Sequence, residues 1–441
     1  MPRSQSRRFA LATFALATVL FLATLELALR LVPRAIPLEV LEQFEPRLRS
    51  KLASSLKFPT RKDTVLVPRT DGGPADILWV YRPEAEVTWT VDEPGVVKTV
   101  RMDGAGFCNP APAPAQADLV AVGDSLTFCT AVSADSTWVS RIAPMLRTST
   151  YNLALPNRGL YEYLQLLERF GLAKSPRVVV VTIYEGNDFR DASIYRSARQ
   201  GRGPRDVCPF GADAACHVVA GVRDSAIGRH SLAINFLAAS AWRMAIKSSK
   251  REIDFRYHAR LADGTILELN SRNGDRDEVT FAKALAEGRI TPDLFDEGLE
   301  RLRAMGREHR FQPVLVYLPS AYTAYASVAR FEDPSIERLM RQYSERLRAY
   351  FATRSRELGL PYLDTTPALS AAAARATAAD PVFFPANVHL TAGGHAVVAE
   401  AIAGFLREQG LLGEVATGAG DEARLQAAVA ARSRAPGDQG R

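Results

Sequence analysis

The 441-residue chain is 47% hydrophobic and 24% charged, an ordinary globular balance that excludes a mainly disordered, collagen-like or coiled-coil molecule. Its length suits two or three units, or one large domain with extensions, and 8% aromatic residues allow a sizeable core. The net charge of +6 owes half its excess to Arg3, Arg7 and Arg8, and the nearly balanced remainder lacks the concentrated basic face that a nucleic-acid partner requires.

Behind those arginines, Phe9 to Leu25 carries no charge, and the apolar character runs on to Val32 with only Glu26 and Arg30 interrupting it. Four residues apart, these two share a helix face and can pair near a membrane surface. The stretch is long enough to cross a bilayer, and Pro33 ends it. Basic residues ahead of it favour a cytoplasmic amino end. A cleaved signal peptide would show a shorter apolar core and a small-residue cleavage site, and a buried core helix fits poorly with a basic terminus. Residues 1–34 are therefore expected to be an uncleaved membrane anchor, with the rest of the chain extracytoplasmic, in the periplasm. Four cysteines, an even number, suit export. Cys208 and Cys216 bracket a short loop, and Cys108 and Cys129 are candidates for a second pair. Four separate thiols are the alternative, and spacing does not choose.

Residues 35–116 read as a β-rich extension. ILWVYRP, AEVTWTV and VVKTVRM have the β-branched and aromatic content of strands between Pro and Gly turns, and PAPAPAQ closes the segment as a linker or surface excursion. From 117 onward short apolar strands alternate with amphipathic helices, the pattern of a parallel α/β sheet. The expected strands are Leu119–Val122, Arg177–Ile183, Pro313–Leu318 and Leu360–Leu363. The second is a continuous β-branched run, as in a strand covered on both faces. Leu160, Tyr163, Leu164 and Leu167 form one helix face, Thr291 with Pro292 opens another helix, and Gly394–Leu406 is a last one. The stretch 189–311 is too long for a simple crossover and reads as an insertion with a hairpin turning at Asp263-Gly264. Its arginines at 196, 199, 202 and 205 suit a solvated loop better than an anion site. The α/β domain spans 117–412, and the Ala-, Gly- and charge-rich tail 413–441 is expected to be disordered.

Three segments carry residues with chemistry to offer. VAVGDSLTF puts Ser125 directly after the first strand and ahead of an expected helix start, at the sheet edge where open α/β folds bind ligands. A helix amino end there would supply N–H groups and a positive partial charge to an oxyanion. FFPANVHLTAGGHAVVAEAI places His389 in a loop before a helix, where it can take a proton from Ser125 and return it to a leaving alcohol. His395, six residues on, is expected to pack or cap. IYEGNDFRD ends the long strand, with Asn187 able to present its amide N–H2 above the first strand. A turn and helix cap at Asp124-Ser125, and a strand-ending Asn-Asp turn, are the plainer readings of two of these.

GDSL at 123–126, GND at 186–188 and NVHL at 387–390, in that order, make residues 117–408 similar to the SGNH (GDSL) hydrolase family. The resemblance implies a flavodoxin-like three-layer α/β/α sandwich, a serine nucleophile, a histidine base and an oxyanion hole. By matching motifs these fall on Ser125, His389 and Asn187, with the backbone at Ser125 contributing to the hole. The G-x-S-x-G elbow of general α/β-hydrolases is not met, because Thr127 stands at its second glycine. The family's glycine N–H donor is expected within NLALPNRGLYEY, where Gly159 is chosen over the backbone of Asn157. The family's acid, two or three residues before the histidine, is missing, and those positions hold Asn387 and Ala386. An asparagine can hold the imidazole with its carbonyl oxygen but brings no charge, and turned over its NH2 favours the wrong tautomer.

The leading expectation is thus a membrane-anchored, exported serine esterase acting on acyl or acetyl esters of a lipid or an acylated glycan. An O-acyltransferase passing the acyl group to an envelope polysaccharide is the alternative, and a catalytically weakened SGNH-fold binding module is a third. Neither a spaced His/Cys cluster nor a Gly-rich phosphate loop is present, so no metal or nucleotide cofactor is expected.

Overall fold

A computed structural model describes residues 3–41, 44–45, 48, 52, 64–67, 78–90, 97–156, 158–199, 214–249, 256–270, 276–385, 387 and 389–413. Its amino-terminal helix α1 (Arg3–Leu31) includes a run from Phe9 to Leu31 with a mean hydropathy of 2.0, long and apolar enough to cross a membrane. Glu26 and Arg30 pair along one face as their spacing predicts, Nε to Oε1 at 2.7 Å.

Two antiparallel ribbons follow. The three stretches read as strands are β2 (Leu78–Tyr81), β3 (Glu86–Thr90) and β4 (Val97–Arg101), the last two paired with each other. Strand β1 (Thr64–Val67), which pairs with β2, was not expected, since three apolar residues after a threonine, among charged neighbours, carry little pattern.

The principal sheet has five parallel strands: β5 (Leu119–Val122), β6 (Thr150–Asn152), β7 (Val178–Tyr184), β10 (Gln312–Leu318) and β12 (Tyr362–Asp364). Their lateral order is β12-β10-β7-β5-β6. Counted along the sheet strands alone this is 2-1-3-4-5, the doubly wound flavodoxin-like order. Every residue of β7 is buried, which explains its unbroken β-branched run. The edge strand β6 escaped the sequence reading because three residues, TYN, show no periodicity.

Helices cover both faces, giving the three-layer α/β/α sandwich. α2 (Trp138–Leu146) packs with the last helix, α11 (Ala392–Glu408). α3 (Leu160–Leu166), α8 (Asp296–His309) and α9 (Pro334–Leu358) make the other layer. The helix expected from Thr291 begins as a 3₁₀ turn over Pro292–Phe295 before α8 proper.

Between β7 and β10 the chain inserts α4 (Asn187–Arg199), α5 (Ala214–Arg223), α6 (Leu232–Ser249), the hairpin β8 (Arg256–Arg260) and β9 (Ile266–Asn270), and α7 (Arg276–Ala286). The hairpin turns where expected, with Arg260 opposite Ile266. Gly264 takes φ +84° there, a conformation that disfavours a side chain. Strand β11 (Ala329–Phe331) joins β8 to complete a small third-strand sheet, and α10 (Thr366–Ala373) follows β12.

Candidate active site

Ser125 lies just past β5, at the carboxyl edge of the sheet. No helix starts there, contrary to expectation. Residues 125–131 form successive turns, and the next α-helix, α2, begins only at Trp138. The physical reason is local: Asp124 accepts from Leu126 N through Oδ1 (2.9 Å), closing an Asx turn, and Ala131 adopts φ +60°. Backbone N–H groups of Thr127 and Phe128 also donate to Asp124 O, at 3.2 and 3.0 Å. A helix dipole therefore plays no part at Ser125.

The turn is clamped from three sides. Gly123 lies where any Cβ would come within 2.0 Å of Thr182 Oγ1, so β7 approaches too closely for a side chain. Thr127 and Thr182 share a hydroxyl hydrogen bond of 2.6 Å, and Asn152 Nδ2 donates to Thr127 O at 2.8 Å. A disulfide joins Cys129, four residues after the serine, to Cys108 in the extension. Cys208 and the side chain of Cys216 lie outside the described residues. With a sequence separation of 21 residues, removal of the bridge in Cys108→Ser/Cys129→Ser is expected to cost about 3 kcal/mol by loop-closure entropy. Equilibrium urea unfolding should read this as a lower midpoint.

Beside this turn, β7 delivers Asn187 at the start of α4. Its Nδ2 donates to Asp191 Oδ2 at 2.9 Å, one helical turn on, which uses one of its two amide hydrogens and fixes the direction of the other. Asp188 points inward and is fully buried; Tyr184 N donates to its Oδ2 at 2.9 Å. Tyr163 Oη lies 2.7 Å from Asp188 Oδ1 and 2.8 Å from Arg158 O. The phenolic hydrogen faces both oxygens, so Tyr163 donates to Arg158 O and to Asp188 Oδ1. Burial, with the Asp124 charge next, pushes the Asp188 carboxyl well above the usual range. Burial likewise raises Asp124, with Asp191 adding repulsion. The fold thus brings three carboxyls close to one another and raises the pKa of Asp124 and Asp188.

Gly159 caps α3, where a Cβ would lie 2.8 Å from Asp191 Cβ, so the loop after β6 touches the helix that carries Asn187. Its N–H is donated to Glu162 Oε2 at 3.2 Å, so the donor expected from this position is engaged in its own helix cap. Asn157, the other choice, lies outside the described residues.

His389 stands in the loop that leads to α11. Phe383 and Leu390 form a bridge, Phe384 N donates to His389 O at 3.0 Å, and Asn387 N donates to Phe384 O at 3.1 Å. His389 Nδ1 meets Asn387 Oδ1, which also accepts from the backbone N–H of His389 at 3.2 Å. The backbone N–H can only donate, so the amide presents its carbonyl oxygen, and an acceptor facing the ring places the ring proton on Nδ1. That leaves Nε2 as the basic nitrogen; it is buried and has no hydrogen-bond partner among the described residues. Burial lowers the His389 pKa to about 4, so the ring is neutral at pH 7. His395 has a structural role: its buried Nδ1 accepts from Trp138 N at 3.3 Å, tying α11 to the first turn of α2.

Sequence reasoning missed Asp191 and Glu162. The only available signals were their spacings, four residues from Asn187 and three from Gly159. Chemically, these residues offer a hydroxyl, a neutral base with a defined tautomer and an amide donor.

No family model matches the chain, and no curated protein matches it. Among solved structures it is similar to Axe2, an acetylxylan esterase from Geobacillus stearothermophilus, at 13% identity over 67% of this chain and 95% of that one, with a TM-score of 0.30. TesA matches at 8% identity over 66% and 98%, TM-score 0.30. LAE5, an alpha/beta hydrolase from the metagenome of Lake Arreo in Spain, matches at 13% over 66% and 95%, TM-score 0.34.

Proposed function

We propose that the protein is a serine ester hydrolase of the SGNH type, acting on acyl or acetyl esters and tethered by α1 with its α/β domain outside the cytoplasm. The observation that carries this reading is the setting of His389, whose Nδ1 proton is held by Asn387 while Nε2 is left bare and buried. An asparagine orients a catalytic imidazole in the same way in papain-like proteases. Tethering is supported by the apolar length of α1 and by Arg3, Arg7 and Arg8 before it. Export is supported by the buried Cys108–Cys129 disulfide, a bond that persists in oxidising compartments.

In the reaction, Ser125 Oγ adds to the ester carbonyl while its proton passes to His389 Nε2. The second amide hydrogen of Asn187 stabilises the oxyanion. Collapse expels the alkoxide, which takes the proton from Nε2 and leaves an acyl serine. Water, deprotonated by the same nitrogen, then releases the acid. Apo sites commonly hold the nucleophile and base beyond bonding distance until substrate binds. The decisive test is labelling with a fluorophosphonate probe. A label on the wild type that is lost in Ser125→Ala supports the enzyme, and an unlabelled, folded wild type defeats it.

Two pH predictions follow from the asparagine. The kcat/KM profile should be flat near neutrality and fall only on the acid side, with its limb near pH 4 where His389 gains a proton. A carboxylate in place of Asn387 would favour imidazolium, so Asn387→Asp should move that limb to higher pH. It should also raise kcat, by up to roughly ten-fold, since each ~1.4 kcal/mol of imidazolium stabilisation is one decade. An unmoved limb would show that residue 387 does not face the ring in solution.

A further inference from the structure

The insertion contributes a helical pair that the ester chemistry does not use. α5 and α6 pack on each other, and α6 packs on the last turns of α1. Glu26 of α1 accepts from Ser231 Oγ at 2.8 Å and from Ala233 N at 2.9 Å, so it caps the amino end of α6. Arg30 Nη2 donates to His230 O at 3.3 Å. Asn235, fully buried, accepts from Glu45 N at 2.7 Å and donates to Ser231 O at 3.0 Å, fastening α6 to the segment after the anchor.

These contacts fix a depth. The 23 residues of the apolar run extend about 35 Å at 1.5 Å per residue, against a hydrocarbon core of about 30 Å. Glu26 lies five residues before the end of that run, about 7 Å along the helix axis. When the run fills the bilayer, Glu26 and the α6 turn bonded to it sit at the boundary between headgroups and acyl chains. The pair leaves large apolar side chains uncovered. Val218 and Val222, one turn apart on α5, are 63% and 47% exposed; Ile227 in the connecting turn is 72% exposed, and Met244 on α6 is 67% exposed. Leu237, two turns before Met244, shares its face and is 38% exposed. Arg229, His230 and Arg243 are exposed among them. Apolar side chains beside cationic ones suit an element lying in the interface of an anionic membrane.

From this juxtaposition we infer that the α5–α6 pair is an interfacial membrane element. It lies on the bilayer that α1 crosses and sets how the α/β domain stands on that surface. The inference rests on the anchor reading above, and the test separates the two. The full chain is reconstituted in vesicles of phosphatidylcholine and phosphatidylglycerol with a benzophenone amino acid placed singly at Leu16, Ile227, Met244 or Glu408. After irradiation, adducts are read by mass spectrometry. Lipid adducts at positions 16, 227 and 244, and none at 408, are the expected result. Lipid adducts at 16 alone overturn the interfacial pair while leaving the anchor standing. Adducts at 227 and 244 to a second copy of the chain overturn it in favour of a dimer. Absence of lipid adducts at 16 removes the anchor and the inference with it.

Discussion

Ser125→Ala is expected to lower kcat on an activated acetyl ester by about 10⁴–10⁶-fold, the range for loss of a serine nucleophile that works with a base. Such a fall is readable as chemistry because the hydroxyl, which bonds to the Asp124 carboxyl, does not itself close the turn. The Asx turn is closed by Asp124 and Leu126, and the residue's own carbonyl accepts from Thr130 Oγ1 at 3.1 Å. Circular dichroism and the unfolding midpoint should therefore match the wild type. His389→Ala should cost a similar factor, and the double variant scarcely more, since the two groups act in one proton transfer. Losses that simply multiplied would mean that the groups act independently. A variant at Ser125 retaining most of its turnover would end the serine mechanism altogether.

The fold was legible in the sequence where hydrophobic runs were long enough to leave no choice. Val178–Tyr184 needed burial on both faces and became the strand flanked by two parallel neighbours. Strand Thr150–Asn152 was illegible because its pairing with β5, not its own composition, makes it a strand. The helix expected after Ser125 failed for a related reason. GDSLTFC has no strong breaker, but an Asx turn and a disulfide to Cys108 hold it in turns, and the partner of that disulfide lies in a different segment. Site residues read from motifs were legible as residue types at a sheet edge. Their hydrogen-bond partners were not, because the role of Asn387 depends on which way its amide faces, and the cap on Gly159 on a glutamate one turn away. The three carboxyls at 124, 188 and 191 gave no sign of meeting, being spread over two segments that only the β5–β7 pairing brings side by side.

Asn187→Ala should lower kcat by about 10²–10³-fold with little change in KM, the cost of losing one preorganised donor to a developing oxyanion. The split between the two constants matters, because a donor that acts mainly on the tetrahedral state adds little to ground-state binding. Asn187→Asp should fall further than the alanine variant. It keeps the size but places another acceptor-only group beside Asp191, where charge has to accumulate in the transition state. Asp191 is a positioning residue in this account: it touches Asn187 and not the ester. Asp191→Ala should therefore cost less than Asn187→Ala, and its effect should largely vanish when Asn187 is already alanine. Full additivity in that double-mutant cycle would show that the 2.9 Å contact between Asn187 Nδ2 and Asp191 Oδ2 does not orient the donor. A KM effect as large as the kcat effect in Asn187→Ala would move the residue from stabilising the oxyanion to holding the substrate.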